Sequence, residues 1–176
     1  MKKYLFILAI FSLVVMASGC TTNQNIATKN ISASGMSLQY PDTWNATSQV
    51  SANATQIIVV SSEMLSSNYT KGSAVLILKV LNSSTSNMSQ IRQEFGTQAN
   101  QSGQNITNTT INIAGVSASD ISYTGNDTGG NTVYYRLIDF EKNNTLYLLM
   151  FGTGGGADVN AAKPYFDVIL NSFKVE

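Results

Sequence analysis

Apolar and polar positions along this chain follow two periods, and the first half of the pattern belongs to strands. "MSLQYP" (36–41) alternates apolar with polar residues, as a half-buried strand does, and stops at Pro41. "PDTWN" then reads as a turn, in which Pro41 sets the backbone angle and Asp42 bonds back to the chain. "QIIVVSS" (56–62) and "SAVLILKVL" (73–81) are β-branched or apolar runs of strand length, separated by the polar "SNYTKG". "INIAG" (111–115) and "VSASDISYTG" (116–125) predict a hairpin turning at Ala114-Gly115. A second hairpin is predicted over 131–153, with "EKNN" at its tip. Its "TLYLLMF" half has no polar alternation, so both of its faces are expected to be covered.

Two segments carry the helical period instead. In 87–101, Met88, Ile91, Phe95 and Ala99 share a face, and Asn87 with Gln90 marks a capped start. In 160–173, Phe166, Ile169, Leu170 and Phe173 repeat at helical spacing, with Pro164 expected in the first turn, where a missing N–H costs little. The sum is an α+β chain of about six to eight mostly antiparallel strands and two main helices. A doubly covered central strand requires layers on both sides, so the architecture expected is an α/β/α sandwich.

The N-terminus follows neither period. Lys2 and Lys3 precede "YLFILAIFSLVVMA" (4–17), an apolar run of 14 residues. A spanning helix needs about 20, so this reads as the core of an export signal. It ends in "ASGC", small residues directly before Cys20, the chain's single cysteine. That resembles the lipobox of prokaryotic lipoproteins, in which the signal is removed and the thiol takes a lipid; Ala17 departs from the usual Leu at its first position. Residues 1–19 are therefore expected to be a lipoprotein signal peptide and Cys20 the lipidation site. An uncleaved signal anchor and ordinary cleavage with a free thiol are the alternatives. All three put residues 21–176 outside the cytoplasm. Residues 20–35, polar and aperiodic, are expected to be a flexible tether, and 36–176 the folded domain.

Composition narrows the function. Only 11% of residues are charged, and ten acids balance ten bases, so nothing favours nucleic acid as a partner. Histidine is absent, which removes the commonest general base and metal ligand. A lone cysteine excludes an internal disulfide. The acceptor pattern Asn-x-Ser/Thr occurs at Asn30, Asn45, Asn53, Asn68, Asn82, Asn87, Asn100, Asn105, Asn108, Asn126 and Asn143. With 18 asparagines and 38 Ser and Thr among 176 residues, chance would place roughly four. The excess points to surface N-glycosylation, and a lipobox with dense sequons fits an archaeal cell surface.

Candidate chemistry is sparse. Gly152-x-Gly154-x-x-Ala157 lies between a strand and a helix, the local context of a dinucleotide loop, but the chain ends about three residues after that helix. No parallel strand or acid can follow, so a connecting loop is expected and no nucleotide. Asp139 and Glu141, two apart, share a face and read as a solvated strand end rather than a cation site. Asp120 stands alone among small residues as a hydrogen-bonding or solvent-facing group. Alternation sends Tyr134 and Tyr135 to opposite faces, one of them under a helix. Tyr134, Arg136 and Trp44 are the candidates for binding, although Trp44 is expected to cap the core before it binds a ligand. A serine nucleophile would need a lysine base, and neither Lys79 nor Lys142 has a flanking motif to position one. No catalytic residue, metal or cofactor is assigned.

"YPDTW" resembles the "YP-x-x-W" start of the PsbP-like family, of the Mog1/PsbP fold. "INIAGVSASDISYT", "KNNTLYLLMF" and "KPYFDVILNSFKV" resemble its hairpin, its Tyr-bearing strand and its closing helix, in that order over roughly 36–176. The resemblance implies an α/β/α sandwich around an antiparallel sheet and a mostly non-enzymatic, accessory or protein-binding role. Photosynthetic members help retain calcium and chloride at the oxygen-evolving complex, and Mog1 members bind a small GTPase. Neither role transfers residue by residue, because the histidines of some photosynthetic sites have no counterpart here and an exported chain does not meet a cytoplasmic GTPase. The expectation is a membrane-attached accessory module for an envelope protein. A surface glycoprotein without a partner, or a carboxylate-dependent hydrolase of envelope polymers, is the alternative. Mass spectrometry of the native N-terminal peptide tests the anchor: it should begin at Cys20 and carry a lipid mass, whereas a peptide retaining Met1 or a free Cys20 thiol would sink the lipidation reading.

Overall fold

The computed structural model describes residues 26–81, 85–102 and 106–176, and their side chains save those of 85–88 and 102. The predicted signal peptide, Cys20, Asn82, Asn105 and the Asn87 side chain lie outside the described residues.

Among the described residues, ten strands form two antiparallel sheets, accompanied by three helices. The smaller sheet joins β1 (Thr28–Ala33), β2 (Met36–Pro41) and β10 (Lys174–Val175), in the order β1-β2-β10. The larger contains β3 (Asn45–Val50), β4 (Ala54–Val60), β5 (Gly72–Leu81), β6 (Ile106–Ile113), β7 (Val116–Asn126), β8 (Thr132–Lys142) and β9 (Thr145–Gly154). Its order is β3-β4-β5-β9-β8-β7-β6. Helix α1 (Ser62–Ser66) is a single turn between β4 and β5, α2 (Thr85–Ser102) crosses from β5 to β6, and α3 (Val159–Ser172) leads to β10.

The α+β sandwich expected from the pattern is the fold observed. Both predicted hairpins are present, turning on residues whose φ is positive: Ala114 (53°) and Gly115 (80°), then Asn143 (52°) and Asn144 (57°). Paired positive φ values give the turn the twist that antiparallel strands need. Ser34 (47°) and Gly35 (77°) make a third such turn. It lies inside the segment expected to be a tether, and that boundary moves. Residues 28–33 form β1, in register with β2 from Thr28↔Pro41 to Ala33↔Met36. The polar composition of β1 concealed it, because an edge strand with one face in water needs few apolar residues. Helix α3 begins at Val159, so Pro164 falls beyond the first turn and has no N–H to offer the Asn160 carbonyl. Its exposed side of the helix lets water take that role.

The two faces of the large sheet are covered unequally. On one, Ile57, Val59, Val75, Ile77, Ile138, Tyr147, Leu149 and Phe151 pack beneath α3 and the small sheet. Helix α3 contributes Ala162, Phe166 and Ile169, and its N-terminus is capped by Asp158, whose Oδ1 accepts from the N–H groups of Asn160 (2.9 Å) and Ala161 (3.1 Å). Burying one such large side chain contributes about 1.5–3 kcal/mol. On the other face, Phe95 and Ala99 of α2 pack on Ile121, Tyr123, Leu137, Leu146 and Leu148. The coverage expected for β9 holds over Thr145–Leu149 and then ends, with Met150 exposed.

The glycine run after β9 is a tight connection rather than a phosphate loop, and the strand that follows α3 joins the smaller sheet antiparallel to β2. A Cβ on Gly155 (φ +62°) would lie 1.9 Å from the Thr70 carbonyl oxygen, whereas one on Gly96 of α2 meets nothing within 4 Å. Urea denaturation should therefore separate two glycine-to-alanine changes. Gly155→Ala is expected to cost at least about 2 kcal/mol, and Gly96→Ala to gain about 0.5–1 kcal/mol.

Candidate interaction surface

Helix α2 covers only part of its face, and the register shows what is left open. One row runs Thr47–Ile58–Leu76–Met150–Leu137 across β3, β4, β5, β9 and β8. The next runs Asn45–Val60–Ala74–Gly152–Tyr135–Tyr123. Leu137 and Tyr123 belong to the core under α2, and Tyr135 borders it through Tyr123. Met150 is 39% and Tyr135 36% exposed, and Ile58, Val60, Ala74 and Leu76 are half-buried. No charged side chain stands among them. An uncharged apolar surface shared by four adjacent strands has the chemistry of an interaction site.

Gly152 shapes this surface. A Cβ there would come within 3.3 Å of the Tyr135 ring, so the absence of one lets Tyr135 lie flat over β9. Tyr135 touches Tyr123 (centroids 5.3 Å apart), and Tyr123 meets Phe95 edge-on at 5.3 Å. The open half is thereby joined to the α2 core by a row of rings. Burial pushes the Tyr123 hydroxyl pKa above its ordinary value, with Tyr135 adding to it.

Helix α2 is held by one charge pair. Asp139, 1% exposed, receives Arg92 Nε at 2.9 Å on Oδ1 and Arg92 Nη2 on Oδ2. The bond to Asp139 raises the Arg92 pKa further. The solvated strand end expected for Asp139 and Glu141 is thus corrected for Asp139. Its neighbour Glu141 is exposed. The pairing was not legible, because Arg92 is 47 residues away and no spacing rule joins a helix to a distant strand.

The other face accounts for the residues singled out in the sequence. Tyr134 stacks on Phe166 (6.3 Å, 24°) with Lys163 Nζ 5.5 Å from its ring centre. Arg136 grips Asp120 through Nε–Oδ1 at 2.9 Å and Nη2–Oδ2 at 2.8 Å. Trp44 is buried against Tyr165 (5.6 Å) and Phe166 (6.0 Å). Tyr134 and Arg136 do come together, but packing and pairing occupy them, and Trp44 closes the core at the far end of α3. Beside Trp44, a slot of about 400 Å³ is bounded by Tyr165, Ser61, Ser73 and the exposed Lys71–Glu63 pair. An open polar groove of about 1380 Å³ separates β1 from α3. The tyrosine that meets solvent is Tyr135. Alternation set the two tyrosines on opposite faces; only the position of the helices decided which was covered.

The eight sequon asparagines whose side chains are described, Asn30, Asn45, Asn53, Asn68, Asn100, Asn108, Asn126 and Asn143, are all exposed. None lies within β4, β5, β8 or β9; Asn45 of β3 stands at the outer end of the second row, opposite Val60.

A family model described as "PsbP-like protein" matches residues 15–175. The chain belongs to the PsbP-like family. Among solved structures, the solution structure of cyanobacterial PsbP (CyanoP) from Synechocystis sp. PCC 6803 is similar, at 13% identity and TM-score 0.53. That match covers 92% of this chain and 99% of CyanoP. LpqN of Mycobacterium tuberculosis, whose structure is described as that of a protein involved in cell envelope biogenesis, matches at 13% identity and TM-score 0.51, covering 88% of this chain and 93% of LpqN. Identities this low speak for the PsbP-like fold alone. No curated protein sequence matches the chain.

The Arg92–Asp139 pair predicts an asymmetry. Arg92→Ala strands a buried carboxylate and should cost about 3 kcal/mol. Asp139→Asn keeps a hydrogen-bonding side chain and leaves only a half-exposed guanidinium unpaired, so its cost should be smaller by at least about 1 kcal/mol. Equal losses in urea denaturation would show that the pair does not govern the seating of α2.

Proposed function

We propose that this PsbP-like protein is an exported, lipid-anchored and glycosylated accessory module that binds an apolar element of an envelope protein. The observation that carries the reading is the uncharged half-face of Ile58, Leu76, Met150 and Tyr135 beside α2. A coat protein gains from glycans on every side, yet the strands bearing these residues contain no sequon asparagine. The open half also has the depth and chemistry of a missing layer. Helix α2 already shows how the apolar stripe of an amphipathic helix packs on this face, and a partner helix laid beside it would bury Met150 and Tyr135. The signal-like N-terminus and the lipobox-like "ASGC" support attachment at the outer membrane face. The absence of histidine and the engagement of Asp120 and Asp139 by arginines favour binding over acid–base catalysis.

The test is site-specific photo-crosslinking in intact cells, with the reactive group at Met150 and, as control, at exposed Asn160 on α3. One reproducible envelope protein should be captured from Met150 alone. Leu76→Asp in the same protein should reduce that capture at least tenfold. Scattered neighbours at the control's level would overturn the reading and favour a surface coat.

A further inference from the structure

Sheets end in edge strands, whose unpaired N–H and C=O groups invite pairing with another chain. Proteins usually blunt such edges with lysine, proline, a bulge or a covering loop. This molecule has three edge strands of six residues or more: β1 in the small sheet, and β3 and β6 in the large one. Neither β3 (NATSQV) nor β6 (ITNTTINI) contains a charged residue or a proline, and β1 (TKNISA) has only Lys29. By charge β3 and β6 are unguarded, and β1 has a single exposed lysine.

Each of the three carries one sequon asparagine: Asn30 within β1, Asn108 within β6, and Asn45 as the first residue of β3. All three side chains are exposed. The interior strands β2, β4, β5, β8 and β9 contain no asparagine, and β7 has one only as its last residue, Asn126. The remaining edge, β10, is two residues long and too short to template a partner.

We infer that N-linked glycans at Asn30, Asn45 and Asn108 are the edge guards of this fold. A second strand must approach to about 4.8 Å to pair, and a branched oligosaccharide rooted on the edge strand occupies that space. One glycan per edge suffices, because pairing is cooperative along the strand. The same placement leaves the apolar half-face usable. Asn45 and Asn108 stand on opposite edges, six strand spacings apart or roughly 29 Å, and frame the face without rooting in its centre. This inference rests on the reading of the chain as an exported glycoprotein.

The experiment uses the protein purified from its own cells. Glycopeptide mass spectrometry first reports occupancy at each sequon. The triple variant Asn30→Gln/Asn45→Gln/Asn108→Gln is then compared with Asn100→Gln on α2, by sedimentation and light scattering. A second triple variant, Ser32→Ala/Thr47→Ala/Thr110→Ala, removes the same sequons and leaves the asparagines in place. Occupied edges, with severalfold more self-association in both triple variants than in the α2 control, are the expected result. Glycans present elsewhere but missing from all three edges would overturn the edge role alone. Glycans absent from the whole chain would overturn the glycoprotein reading with it. Occupied edges whose loss leaves the protein as monomeric as the control would overturn the edge role and leave glycosylation standing.

Discussion

Strand β9 lies at the middle of seven strands, and the structure is organised around keeping both of its faces dry. Tyr147, Leu149 and Phe151 point to one side, Leu146, Leu148 and Met150 to the other. The first side is fully roofed, because α3 and the small sheet together span it. The second has only α2, fixed in place by Arg92 on the buried Asp139. A single helix about 10 Å wide cannot cover a sheet of this breadth, and the rows through Leu76 and Met150 are what remains.

That shortfall links the fold to a functional reading. Single apolar side chains meet water elsewhere too, Val50 at the end of β3 and Ile106 at the start of β6, but Ile58, Leu76, Met150 and Tyr135 lie on adjacent strands of one face. Gly152 contributes by letting the Tyr135 ring lie down over the strand, which flattens the surface a partner would meet. The low charge of the chain has a related consequence. With few lysines to spare for the edges, protection against strand pairing falls to neutral residues, and the asparagines sit where that protection is needed.

The two carboxylate–arginine pairs do different work on opposite faces. Asp120 and Arg136 link neighbouring strands β7 and β8 and stay within one sheet, whereas Asp139 and Arg92 join the sheet to a helix. Removing Arg92 leaves a charge in a poorly hydrated place, whereas removing Asp139 leaves a half-exposed guanidinium. Asp139 is the more deeply buried, and its pair with Arg92 adds to the packing of Phe95 and Ala99 that seats α2 on the face.

Period and turn chemistry were enough to read the sandwich from residues alone. The hairpins at Ala114-Gly115 and Asn143-Asn144, the apolar stripes of α2 and α3, and the unbroken "TLYLL" run report local geometry, which short-range sterics impose wherever the chain lies. The expected export signal, the candidate anchor Cys20 and the sequons are also read from sequence, as short linear patterns of the kind that enzymes recognise. Strand β1 escaped notice because an edge strand needs no apolar alternation. The burial of Asp139, the choice of Tyr135 over Tyr134 as the exposed ring, and the packing of Trp44 were decided by tertiary structure. Each depends on which element lies above a given sheet position, and that is settled by contacts between residues tens of positions apart, to which no local pattern gives access.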